Sequence, residues 1–167
     1  MRDRSIGMGV VLALIAFLGV DDVVVVFSFE EYLVSERLPA TLRRADLGSH
    51  PDAMRYRGVL RRTDRQRPNF AGHFTIARIG CGASCALLAV VDRQNGHVYF
   101  PSELGALHWS MPGGEEPGYS FKANSRLIRA CGDPAESGKP ACRFYEWTGK
   151  SVRLVAQTSW GSPRTQR

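Results

Sequence analysis

The chain has no internal repeat at a fixed period, which excludes solenoid and propeller architectures. It has no long polar low-complexity tract, and 44% apolar residues with eight Phe, five Tyr and three Trp supply a packed core, not a disordered segment. It has no unbroken apolar run of the about 20 residues that a membrane-spanning helix needs. The best stretch, Ile6 to Val20, stops at Asp21 and Asp22 before Val23 to Phe27 resumes it. No Cys-x2-Cys pair is present, which argues against a thioredoxin-like redox motif. Neither a helix pattern nor a Gly-Lys-Ser/Thr run follows Gly80-Cys81-Gly82, so these glycines read as a turn and not as a phosphate cradle. Acidic residues are the minority, 16 against 22 basic ones, leaving a net charge of +6.

What is present fits one domain of ordinary size at 167 residues. Residues 1–28 read as a signal peptide or membrane anchor, 29–50 as a loosely structured lead-in, 51–160 as a single β-rich domain and 161–167 as a tail. Arg2 and Arg4 ahead of the apolar run give the charge-then-hydrophobe order of an export signal, and Val26-Phe27-Ser28 offers cleavage after Ser28. The alternative is an uncleaved anchor over residues 6 to 27. Its two aspartates would lie near one end, where a charge costs less than the roughly 3 kcal/mol it costs at mid-bilayer. Either way the expected location is periplasmic or secreted, with membrane contact through the N-terminus where the segment is retained.

Four cysteines suit an oxidising compartment, and three pairings are open to them. Local spacing favours Cys81 with Cys85 and Cys131 with Cys142, the second closing a loop punctuated by Gly132, Pro134, Gly138 and Pro140. Both bridges are expected to act as staples. The basic charge is uneven: Arg43 to Arg67 holds eight arginines against three aspartates, whereas the first 28 residues hold two against three. Such a stretch suits anionic lipid head groups, acidic glycans or nucleic acid, with a plain solvated face as the simpler reading.

Secondary structure follows from periodicity. Met54, Val59 and Leu60 place one short helix between Asp52 and Arg65, with Ser49 or Asp52 as its cap and Pro68 beyond it. After Pro68 the period is two. Phe74, Ile76 and Arg78 alternate with His73, Thr75, Ala77 and Ile79, Gly80 to Ser84 turns, and Ala86 to Val91 returns. Asn95-Gly96 signals a second hairpin into His97 to Phe100. Residues 101 to 120 read as a loop-rich insertion, and strands resume at Ser125 to Ala130, Cys142 to Trp147 and Val152 to Ala156. The predicted fold is mainly β, an antiparallel meander or sandwich of six or seven strands preceded by one short helix.

The run PNFAGHFTIARIGCGASC (68 to 85), with VDRQNGHVYF (91 to 100), SRLI (125 to 128) and FYEWTG (144 to 149), resembles a family of small, uncharacterised exported bacterial proteins that share an N-F-A-G-H-[FY]-T core. The resemblance covers roughly residues 55 to 155. It implies export and a β-rich fold, and it assigns no catalytic residue.

Several constellations bear on chemistry. His73 with Cys81 or Cys85 would form a nucleophile–base dyad, but eight residues of strand separate His73 from Cys81 by about 26 Å. The hairpin instead places His73 across from about Asp92, a pair able to orient an imidazole for acid–base work or to satisfy two polar groups within a sheet. A zinc site drawn from Cys81, Cys85, Cys131, Cys142 and His73 is disfavoured by the long gap in the second cysteine pair and by oxidation, so no metal and no cofactor is expected. His108, Trp109, Glu115 and Glu116 share a glycine- and proline-rich loop, a weak ligand-binding candidate. Phe144, Tyr145 and Trp147 read as sheet core and not as a stacking platform, and no nucleic-acid partner is expected. The resulting expectation is a non-catalytic envelope domain that binds an anionic or protein partner. A small hydrolase or transferase using His73, and an inhibitor of a cell-wall-degrading enzyme, are the alternatives; like-signed charge disfavours inhibition of a basic lysozyme.

Overall fold

A computed structural model describes residues 27–35, 38–109, 118–134 and 137–159. The proposed leader before Phe27, the 161–167 tail, Glu115 and Glu116 lie outside the described residues. Among the described residues no helix is long and apolar enough to cross a membrane.

The protein is mainly antiparallel β, and its described residues hold eight strands in one connected sheet. Strands β1 (Phe74–Gly82) and β2 (Cys85–Asp92) form a hairpin that runs from Phe74 opposite Asp92 to Gly80 opposite Ala86 and, after a register shift, ends at Gly82 opposite Cys85. Strand β2 also pairs with the short strands β3 (Val98–Tyr99) and β4 (Leu107–His108). The link to the second half is β4, which pairs with β6 (Leu127–Pro134). Strand β6 pairs in turn with β5 (Gly118–Phe121) and β7 (Ala141–Trp147), and β8 (Val152–Ser159) completes the sheet beside β7. The six or seven strands expected become eight because β4 and β5 lie in the stretch read as a loop-rich insertion; neither is long enough to show a period.

The period-two pattern sorts the hairpin into two packed faces. Phe74, Ile76, Leu88 and Val90 join Ile128, Tyr145 and Trp147 from the second half in a central core. Ala77, Ile79, Ala89 and Val91 face the other way and meet Ala53 and Leu60 of the helical layer. On the far side Leu127, Cys131, Cys142 and Phe144 receive Phe27, Phe29 and Tyr32 from the chain start. Trp147 is 1% exposed and makes edge-to-face contacts with Phe70, Phe74 and Tyr99, so the aromatics of β7 are core.

Between Asp52 and Arg65, where one helix was expected, two α-helices stand, α1 (Pro51–Arg55) and α2 (Arg57–Thr63). The break falls at Tyr56, whose φ of −101° and ψ of 18° leave the helical region. The cap of α1 is His50, whose Nδ1 accepts the Asp52 amide at 3.1 Å, while Ser49 is drawn away to accept Val98 N. Met54 points outward at 55% exposure and Ala53 takes the buried position. The lead-in is docked along much of its length: Val34 N donates to Asn124 O, Arg43 N to Arg93 O and Asp46 N to Gly96 O, and Ala45 is buried. Gly96 permits this, since its φ is +92° and a Cβ there would lie 2.5 Å from the Arg44 carbonyl.

Candidate functional site

The NFAGHFT segment is a structural knot at the entry to β1. The Asn69 side chain accepts Ile76 N at 2.8 Å, and Phe70 and Phe74 exchange backbone hydrogen bonds across a turn in which Ala71 and Gly72 have φ of 42° and 81°. Ala71 N and Gly72 N donate to Ser125 O and Ala123 O, tying the turn to the loop before β6. His73 lies in this turn and not within the strand, which begins at Phe74. Its Nε2 is 3.5 Å from Asp92 Oδ1, as the Phe74–Asp92 register requires. Both side chains are buried, at about a tenth exposed or less. The Asp92 carboxylate is further engaged by Gln94 N at 2.7 Å and by Asn95 Nδ2 at 2.8 Å, an arrangement that builds the following turn. This geometry supports a structural role for the pair.

Asp92 leads to a residue that sequence reasoning overlooked. Arg93 is 2% exposed, and its guanidinium donates to the carbonyls of Arg43, Thr63, Gln66 and Asp64 and to Thr75 Oγ1. Buried cationic donors are best held by several acceptors, and three of these carbonyls belong to the last turn of α2 and its continuation, where the helix end is negative. Arg93 therefore locks the lead-in and the helical layer onto the hairpin. A turn arginine gives no sequence signal of burial.

The four cysteines are paired, Cys81 with Cys85 and Cys131 with Cys142. Among the described residues no group of three His, Cys, Asp or Glu side chains is placed to hold a metal ion. His108 and Trp109 diverge: His108 Nε2 lies 3.5 Å from Cys85 Sγ, whereas the Trp109 ring faces Gly118. A cavity of about 110 Å³ near β4 is lined by Leu107, Tyr119, Ala130, Arg143, Tyr145 and Glu103. Glu103 opposes the Arg143 charge within it, and the space is well under the roughly 300 Å³ of an ordinary ligand pocket.

The helical layer carries the chain's strongest surface feature. Arg43, Arg44, Arg55, Arg57, Arg61, Arg62, Arg65 and Arg67 are all exposed. Two of the three aspartates among them are already occupied. Asp46 accepts Gly48 N, and Asp64 accepts Ala45 N at 2.8 Å and lies 3.5 Å from Arg61, whereas the Asp52 carboxylate stays half-exposed beside His50. Ala53 and Leu60 anchor the layer to the hairpin, so the arginines project from a fixed base. Guanidinium groups in such number suit phosphate and carboxylate oxygens, which they grip bidentately.

Comparison with protein-family models, with curated proteins and with solved structures finds no match.

Proposed function

We propose that the chain is a non-catalytic envelope domain that docks onto an anionic partner through the arginines of α1, α2 and their flanks. The observation that carries this reading is the exposure of all eight arginines between Arg43 and Arg67 beside only three aspartates, two of them, Asp46 and Asp64, already engaged within the chain. Their summed field attracts anions over about 8 Å at physiological ionic strength. The two disulfides support an oxidising compartment, in keeping with export.

Vesicle co-sedimentation tests the reading, with the full chain compared against a chain carrying Arg55→Gln, Arg57→Gln, Arg62→Gln and Arg65→Gln. The apolar N-terminal segment is common to both, so their difference isolates the arginines. Binding to vesicles with anionic phospholipid is expected to exceed binding to neutral ones, to weaken with added salt and to fall about tenfold or more in the variant. Equal binding to both lipids, or a variant that binds as the parent does, would overturn it.

A further inference from the structure

The two disulfides differ in their surroundings. Cys131 and Cys142 face each other across β6 and β7 and are wholly buried. Cys81 and Cys85 close the tip of the β1–β2 hairpin, where Gly80, Cys81, Gly82 and Ala83 are exposed while Cys85 is 4% exposed. Strand β4 pairs with β2 in the register that sets His108 opposite Cys85, and this brings the imidazole Nε2 within 3.5 Å of Cys85 Sγ. The Cys81 end of the bridge is therefore exposed, and the Cys85 sulfur has a nitrogen beside it. Seven pairs from Phe74–Asp92 to Gly80–Ala86 hold the hairpin before the register shifts to Gly82–Cys85 at the tip, so these pairs keep the register when the bridge opens.

We propose that Cys81–Cys85 is a thiol–disulfide exchange site for low-molecular-weight thiols, attacked at Cys81 and assisted by His108, while Cys131–Cys142 stays inert. An incoming thiolate attacks Cys81 Sγ. A bond forms between the two sulfurs as the Cys81–Cys85 bond breaks, and the electron pair remains on Cys85 Sγ, where a hydrogen bond from the His108 N–H stabilises the thiolate before a proton reaches it. A second thiolate attacks the outer sulfur of the mixed disulfide, releasing the oxidised dimer of the thiol and leaving Cys81 as a thiolate that solvent protonates. Two thiols are oxidised and one cystine is reduced, so protons and electrons balance. The Cys-x3-Cys spacing lacks the motif of thioredoxin-like proteins; here an imidazole beside the leaving sulfur does what that motif does, since a low leaving-group pKa speeds exchange.

The test uses the full-length folded chain with reduced glutathione at neutral pH, acid quenching, alkylation and mass mapping of the peptides. His108→Leu and His108→Gln are compared alongside, each with a melting curve. Cys81–Cys85 is expected to open while Cys131–Cys142 remains closed, with the glutathione adduct on Cys81. His108→Leu is expected to slow opening by roughly tenfold, and His108→Gln, which keeps an N–H donor, to recover most of the rate. The adduct position in the unaltered chain decides the point even where a variant folds poorly. Both bridges opening together, an adduct on Cys85, or a folded His108→Leu chain reacting at the parent rate would overturn the proposal.

Discussion

The side-chain oxygen of Asn69 accepts the backbone amide of Ile76 at 2.8 Å. Strand β1 is the end of the sheet order, so among the described residues one row of its backbone groups has no neighbouring strand. Asn69 stands in for one: its own N–H donates to Phe74 O at 3.1 Å, and its Nδ2 lies 3.4 Å from Ile76 O. Asn69→Ala removes the acceptor from a buried amide and is expected to cost about 1–3 kcal/mol. Asn69→Asp keeps the acceptor and recovers part of that. Urea unfolding measures both, and an alanine variant as stable as the parent would mean that water replaces the side chain without loss.

Arg93 is expected to be the most sensitive polar side chain in the fold. Arg93→Leu abandons the carbonyls of Arg43, Thr63, Gln66 and Asp64, each of which then loses a charged donor, for a total loss of about 3–5 kcal/mol. Arg93→Lys is expected to recover little, because one ammonium cannot spread three donor atoms over five acceptors. The lead-in and α2 loosen first, so hydrogen exchange at Ala45 and Leu60 should rise before exchange in β6 and β7. Uniform exchange changes across both halves of the sheet would contradict the locking role.

The sequence shows the sheet where strands are long enough to alternate. The β1–β2 faces follow directly from Phe74, Ile76 and Arg78 against Thr75, Ala77 and Ile79, and the Asn95-Gly96 turn follows from its glycine. Strands β4 and β5 stay hidden, because two to four residues carry no period and their pairing is decided by partners distant in the chain. The arginine layer is legible in composition alone; its exposure is not, since that depends on Ala53 and Leu60 winning the buried positions over Met54. Arg93 and the His108–Cys85 contact are tertiary facts with no local signature.

His73 is buried against Asp92 in the turn before β1, a placement that suits a structural role. Its contact with Asp92 joins the turn before β1 to the turn after β2. His73→Ala is expected to lower stability by about 1–2 kcal/mol while leaving adhesion to anionic vesicles unchanged, because the arginine layer does not depend on it. Melting curves and co-sedimentation on the same preparations separate the two effects. An unchanged melting temperature with altered binding would reverse the assignment.

Tyr119 makes stability depend on alkaline pH. Burial holds its phenol well above the ordinary value near 10, with the neighbouring Tyr145 adding to the shift and Arg78 opposing it. Tyr145 is itself raised, chiefly by burial. A raised folded-state pKa means that the unfolded chain gives up its proton first, so this stabilisation is complete below about pH 10 and is lost as pH climbs toward the folded value. The melting temperature is therefore expected to fall steeply above about pH 10. The Tyr119 hydroxyl also donates to Gly105 O at 2.7 Å, so Tyr119→Phe should cost about 1 kcal/mol at neutral pH yet flatten the alkaline decline, because one fewer proton is released on unfolding. Thermal melts of the two chains from about pH 8 to about pH 11 test this. Curves that run parallel across that range would show that Tyr119 takes no part in the transition.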